Sequence, residues 1–113
     1  MPNSYPLYLP EPYEMYAARE QLTTWIELNT SHWSKLSAGA LLRTSSSLYR
    51  VTSCTSYADL ESLVDFIGIR SVYPDKANYS EAKAYFDTRF SESEVDMFGL
   101  LAIGIEPVKG ELD

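Results

Sequence analysis

Residues Tyr79 to Val108 read YSEAKAYFDTRFSESEVDMFGLLAIGIEPV, and this stretch decides the fold. Ser80 predicts the cap of a helix running to Phe90, in which Ala82, Tyr85, Phe86 and Arg89 fall on one face at helical spacing. Ser91 and Glu94 have the form of a capping box, each side chain satisfying a backbone N–H of the other, so a short final helix starts there and Gly99 ends it. The apolar run Leu100 to Ile105 leaves no length for another helix and predicts a buried strand.

Upstream of this stretch the pattern changes to short strands separated by helices and turns. Tyr5 to Leu9 alternates as a short strand does, and Pro10 and Pro12 fix the entry to a helix over Tyr13 to Gln21. Leu22 to Leu28, LTTWIEL, is β-branched and aromatic and predicts a strand whose register the sequence leaves open. The polar turn Trp33-Ser34-Lys35-Leu36-Ser37-Ala38-Gly39 feeds a strand at Leu41 to Arg43, and Leu48 to Thr55 alternates as a half-buried strand. A second amphipathic helix is expected from Ser56 through Phe66, with Leu60, Leu63, Val64 and Ile67 at helical spacing and Gly68 as its end. Val72-Tyr73-Pro74-Asp75 reads as a turn, because Pro74 biases Tyr73 away from helix.

Strands wrapped by helices and closed by one strongly apolar strand predict an α+β fold with a small barrel rather than a βαβ sheet. The 113 residues, 45% of them hydrophobic, suit one domain spanning 1–113. A lone Cys54 excludes an internal disulfide framework, and a single His32 without a cysteine partner gives no zinc spacing, so neither metal nor cofactor is expected. The N-terminal MPNSYPLYLPEP has no basic region followed by an apolar run, and no segment has the length of a membrane span, so a soluble, intracellular, cytoplasmic protein without membrane association is expected.

The formal charge of −7 argues against extensive nonspecific binding of nucleic acid, whose affinity comes largely from neutralised phosphates. The charge is unevenly spread. No Asp or Glu occurs from Leu28 through Ala58, where Lys35, Arg43 and Arg50 lie with His32, Trp33, Tyr49 and Tyr57. Acids dominate from Ser91 onward. A mildly basic, aromatic middle suits phosphate and bases, and a Ser/Thr-rich β region that happens to lack acids explains the same residues.

In three places the chain resembles the ASCH domain family of the PUA-like superfamily: Trp33-Ser34-Lys35-Leu36 with Gly39, Tyr49-Arg50-Val51-Thr52, and the whole of Tyr79 to Val108. The resemblance implies a PUA-like β-barrel of five to six strands flanked by helices, with a cleft beside the barrel and an association with RNA. The family's Gly-x-Lys-x-x-Glu-x-Arg pattern after the first helix aligns with Glu20, Leu22, Trp25 and Glu27, so every signature position is replaced. Ala40 follows Gly39 where the family usually has Asp. Some small bacterial relatives are amidohydrolases that deacetylate N4-acetylcytidine with a Lys, a Thr and a Glu; here Thr23 and Thr24 are present, but Leu22 stands at the Lys. A hydroxyl needs a neighbouring base to become a useful nucleophile.

The leading expectation is therefore a noncatalytic module for RNA or a modified nucleotide, using Trp25, Trp33, Lys35, Arg50, Arg70 and Tyr73. Aromatic rings would stack on bases and the cations would meet phosphate. Each of these residues also has an ordinary structural role, core packing for Trp25 and surface ion pairs for the arginines. The second reading is a protein-interaction or regulatory domain on a degenerate ASCH fold, with the tyrosine-rich N-terminus as a possible contact face. The third is an amidohydrolase with a site rebuilt from Thr23, Thr24 and Glu27, which requires a base from elsewhere, such as Lys35 or Arg70. The sequence leaves the oligomeric state open.

Overall fold

The computed structural model describes residues 4–108. In chain order the elements are β1 (Ser4–Pro6), α1 (Tyr13–Ala18), β2 (Thr24–Leu28), β3 (Leu41–Arg43), β4 (Leu48–Tyr57), α2 (Leu60–Ile67), α3 (Ile69–Val72), α4 (Tyr79–Arg89), α5 (Glu92–Phe98) and β5 (Leu100–Pro107). The five strands form one curled half-barrel sheet in the order β1-β3-β4-β5-β2. All neighbours are antiparallel except β1 and β3, which run parallel.

β5 forms because Leu100 to Ile105 is apolar without alternation, which suits a strand covered on both faces. It pairs with β2 on one side, Trp25 opposite Ile103, and with β4 on the other, Cys54 opposite Ile103. Ile103 and Trp25 are fully buried, and around them Tyr13, Tyr49, Leu42, Leu63, Tyr73 and Leu100 complete one hydrophobic core. A side chain such as Leu63 contributes about 1.5–3 kcal/mol by leaving water.

β4 departs from simple alternation. Tyr49 and Val51 are buried, Thr52 and Ser53 are both exposed, and the partly buried position resumes at Cys54. A bulge between Val51 and Ser53 inserts one residue, so the inward phase shifts and Cys54 leaves the face that Arg50 occupies. The strand also runs on to Tyr57, because Ser56 and Tyr57 pair with Leu101 and Leu100.

That extension moves the start of α2. Ser56 is a strand residue, and the cap is Asp59, whose carboxylate accepts from Ser62 N–H at 2.9 Å. α4 likewise starts before Ser80: Asn78 Oδ1 accepts from Glu81 N–H at 3.0 Å, and Glu81 Oε1 accepts from Ala77 N–H at 2.9 Å. Asn and Asp cap as well as Ser does, and in both helices the residue that caps has an extended backbone directly before the first turn. The capping box of Ser91 and Glu94 forms as expected and starts α5. α1 ends at Ala18 rather than Gln21, since Glu20 turns the chain with φ 63 and brings Leu22 N–H back to Tyr16 O. β1 stops at Pro6, short of Leu9, although Leu7 N–H still reaches Arg43 O and Leu7 and Leu9 are buried. The turn expected at Val72 to Asp75 is narrower, because Val72 closes the single turn of α3.

Gly99 joins α5 to β5 with φ 72 and ψ −176, a region open essentially to glycine alone. A Cβ there would lie 3.3 Å from Tyr57 O. Gly99→Ala is expected to cost about 1–3 kcal/mol. Urea unfolding checks this, and a midpoint equal to the parent would contradict it.

Candidate functional site

At the end of α1 the chain reverses through Glu20 and enters β2, and a cavity of about 380 Å3 opens beside that reversal. It is lined by Glu20, Thr23, Thr24, Thr52, Ser53, Gly104, Ile105 and Glu106. Gly104 sits at its centre for a steric reason. It pairs with Thr24 on one side and meets the β4 bulge on the other. A Cβ at Gly104 would collide with Thr52 Oγ1 and with Ser53 Oγ and approach Ser53 N to 3.3 Å. The missing side chain therefore lets two hydroxyls of the β4 bulge close over β5 at this point. Ile105 N–H donates to Thr23 O at 2.9 Å and holds the mouth of β2 against β5.

The lining carries four hydroxyls and two carboxylates, and none of its side chains is an amine, a guanidinium, an imidazole or a thiol. The neighbouring cation, Arg50, is engaged with Glu106 at 3.1 Å across the β4–β5 pair, with both side chains nearly half exposed. Such a cleft accepts hydrogen bonds from a donor-bearing ligand and disfavours an anion.

The other face of β2 carries a different cluster. Trp25 Nε1 donates to Glu27 Oε2 at 2.9 Å, and Arg89 Nη2 reaches the same oxygen at 3.4 Å. Arg89 Nη1 donates to Ile26 O at 3.0 Å, and its guanidinium lies over the rings of Trp25, at 4.6 Å, and Phe90, at 4.5 Å. This clamp fastens the end of α4 to β2. Beneath it Tyr13, Tyr73 and Tyr85 meet with ring centroids 5.0 to 5.7 Å apart.

These placements separate the residues singled out from the sequence. Thr23 and Thr24 line the cleft, whereas Glu27, an odd number of residues from Thr24 along the strand, faces Arg89 on the opposite side. Trp25 and Tyr73 have no exposed surface, so neither ring offers a face to a base. Trp33 is half-buried and meets His32 edge-on at 4.6 Å. Lys35, Arg50 and Arg70 are exposed. None of these six, Trp25, Trp33, Lys35, Arg50, Arg70 or Tyr73, lines this cleft. The residues that the sequence reading passed over are Glu20, Thr52, Ser53, Gly104 and Glu106 in the cleft and Arg89 in the clamp. A glycine inside an apolar strand, Gly104, is the one local signal that pointed to the bulge.

The class that emerges is an α+β protein on a curled, five-stranded half-barrel, with an acceptor-rich cleft at one end of the sheet. No family model matches the sequence, and the search of curated proteins gives no match. Among solved structures the chain is similar to the crystal structure of hypothetical protein PH0355, with a TM-score of 0.89 and 18% identity over 94% of this chain and 100% of that one. It is also similar to the solution NMR structure of protein PF0455 from Pyrococcus furiosus, with a TM-score of 0.83 and 16% identity over 96% of this chain and 100% of that one. At such identities the likeness establishes the shared fold. No helix among the described residues is long and apolar enough to cross a membrane.

Removing the Arg89 guanidinium leaves Glu27 largely buried with only the Trp25 donor. Arg89→Ala is expected to cost about 2–3 kcal/mol, below the fully buried limit because both side chains keep some water contact. Arg89→Lys should recover only part of this, since an ammonium cannot hold Ile26 O and Glu27 while stacking between two rings. Chemical denaturation of both variants measures it; full recovery by lysine would contradict the clamp.

Burial pushes the Tyr73 hydroxyl above its ordinary 10.0, with the Arg89 guanidinium opposing in part. Tyr13 is raised as well, by burial first and then by Asp75. The folded chain keeps these protons where the unfolded chain has released them, so stability is complete below about pH 10 and falls as pH rises beyond it. Tyr73 Oη is buried without a hydrogen-bond partner among the described residues. Tyr73→Phe should therefore keep stability at neutral pH within about 1 kcal/mol and extend it to higher pH. Thermal melts across alkaline pH test this, and an unchanged alkaline limb would contradict it.

Proposed function

We propose that this chain is a noncatalytic PUA-like module that binds RNA through a nucleoside seated in the hydroxyl-lined cleft. The observation that carries this reading is the lining itself: two carboxylates and four hydroxyls around Gly104 with no basic side chain among them. The volume of about 380 Å3 falls in the range of small-molecule sites. A nucleoside brings donors to such a wall, in its exocyclic amine and its 2′-hydroxyl. Carboxylates accept from the N4 amine of cytosine, which makes cytidine the favoured base; Glu20 and Glu106 bring carboxylates to the lining, Glu106 with one oxygen already held by Arg50. Phosphate gains little here, in keeping with the net charge of −7.

Binding without turnover is supported by the separation of Glu27 from Thr23 and Thr24. A threonine nucleophile requires a base within hydrogen-bond reach, and Glu27 is held by Trp25 and Arg89 on the far face of β2.

The test is a titration of isotope-labelled protein with cytidine, uridine, adenosine, guanosine and N4-acetylcytidine, and with short single-stranded RNA at low and near-physiological salt, following amide shifts. Saturable shifts at Thr23, Thr24, Thr52, Ser53 and Gly104 that favour cytidine and change little with salt are expected. Gly104→Ala, which fills the centre of the cleft, should abolish them while the rest of the spectrum persists. Shifts elsewhere, or none, would sink the reading. Acetate released from N4-acetylcytidine would replace it with the hydrolase.

A further inference from the structure

We propose that the groove between α2, α4 and α5 is a docking site for a basic amphipathic segment of a partner protein. The groove is independent of the cleft and has a volume of about 520 Å3. Its floor is apolar, formed by Leu60, Phe86, Phe90 and Val95, and its rim is acidic. Five carboxylates, from Asp59, Glu61, Asp87, Glu92 and Asp96, surround one ammonium, Lys83, which is committed to Asp87 at 2.9 Å.

Helix stabilisation explains only part of this charge. Asp59 is the cap of α2, and Glu61 and Glu92 lie in first turns, where carboxylates complement the helix dipole. Asp87 and Asp96 do the opposite. Asp87 lies in the last turn of α4 and Asp96 in the second half of α5, where a negative charge opposes the dipole. The Lys83–Asp87 pair also runs in the less favourable order, with the base N-terminal to the acid. Neither carboxylate complements the dipole of its helix, and both place negative charge on the rim of an apolar slot.

The occupant that matches this arrangement has apolar side chains for the floor, flanked by Lys or Arg for the rim. A nucleic acid is repelled by the same rim. The Tyr79 ring, partly exposed at the groove, adds an aromatic wall for an arginine.

The probe is a fluorescein-labelled amphipathic peptide of Leu and Lys at helical spacing, read by anisotropy and by amide shifts on the labelled protein. It should bind, with shifts confined to the groove residues of α2, α4 and α5. Reversing two exposed rim charges, Glu92→Lys with Asp96→Lys, should weaken binding by at least about tenfold. The exposed positions of both residues keep the variant folded, which its unfolding midpoint checks; the milder Asp96→Asn serves if it does not fold, with a smaller loss expected. Equal binding of a Ser/Lys peptide would show bare charge attraction and overturn the proposal. Displacement of the peptide by spermine at equal concentration would assign the groove to a small polycation instead. Unchanged affinity in the charge-reversed variant, or shifts outside the groove, would also overturn it.

Discussion

The architecture depends on β5 lying between β4 and β2 with apolar residues on both faces. Leu100, Leu101, Ala102, Ile103 and Ile105 are all buried, and the strand pairs with β4 along its length and with β2 from Leu100 to Gly104. A single register then places Trp25 across from Ile103, Tyr57 across from Leu100 and Thr24 across from Gly104. Because side chains alternate at every residue, a slip of one would turn the core face of β2 outward. The bulge in β4 is the local concession to this packing. It absorbs one residue opposite Gly104 and in doing so turns two hydroxyl side chains toward the cleft.

The helices are attached by a different chemistry. α4 is held to β2 by a cation that is at once a hydrogen-bond donor, an ion-pair partner and a stacking surface. Such a side chain replaces several weaker contacts, since the planar guanidinium meets a carbonyl, a carboxylate and two rings without changing conformation. The tyrosines beneath it contribute ring area rather than hydroxyl chemistry, as the raised, unionised state of Tyr13 and Tyr73 indicates. The sheet and the helix thus meet through an interface that is aromatic inside and ionic at its margin.

Patterns that depend on neighbours in sequence were legible. The capping box at Ser91, the unalternating run from Leu100, the strand at Leu41 to Arg43 and the helix end at Gly68 all rest on local rules. What depended on pairing was not. Ser56 and Ser80 are good cap residues, but Ser56 is drawn into β4 by Leu101, and Asn78 already occupies the cap of α4. Trp25 and Tyr73 have the composition of stacking residues, and only the tertiary fold shows their rings inside the core. Glu27 and Arg89 are far apart in the chain, so no window of sequence could join them. The cleft was half legible: the replaced signature positions drew attention to Thr23 and Thr24, while its other wall depends on a bulge and a register.

The clamp has one more effect, at the boundary of the sheet. A half-barrel leaves two outer strands, β1 and β2, and outer strands offer unpaired backbone groups to a second chain. The Ile26 carbonyl of β2 is already taken by Arg89, and just before the strand Thr23 N–H donates to Ser71 O at 2.9 Å. Among the described residues β1 spans Ser4–Pro6, and it ends in Pro6, which has no N–H to lend. Strand addition is therefore opposed at β2 by the clamp that positions α4 and at β1 by its proline.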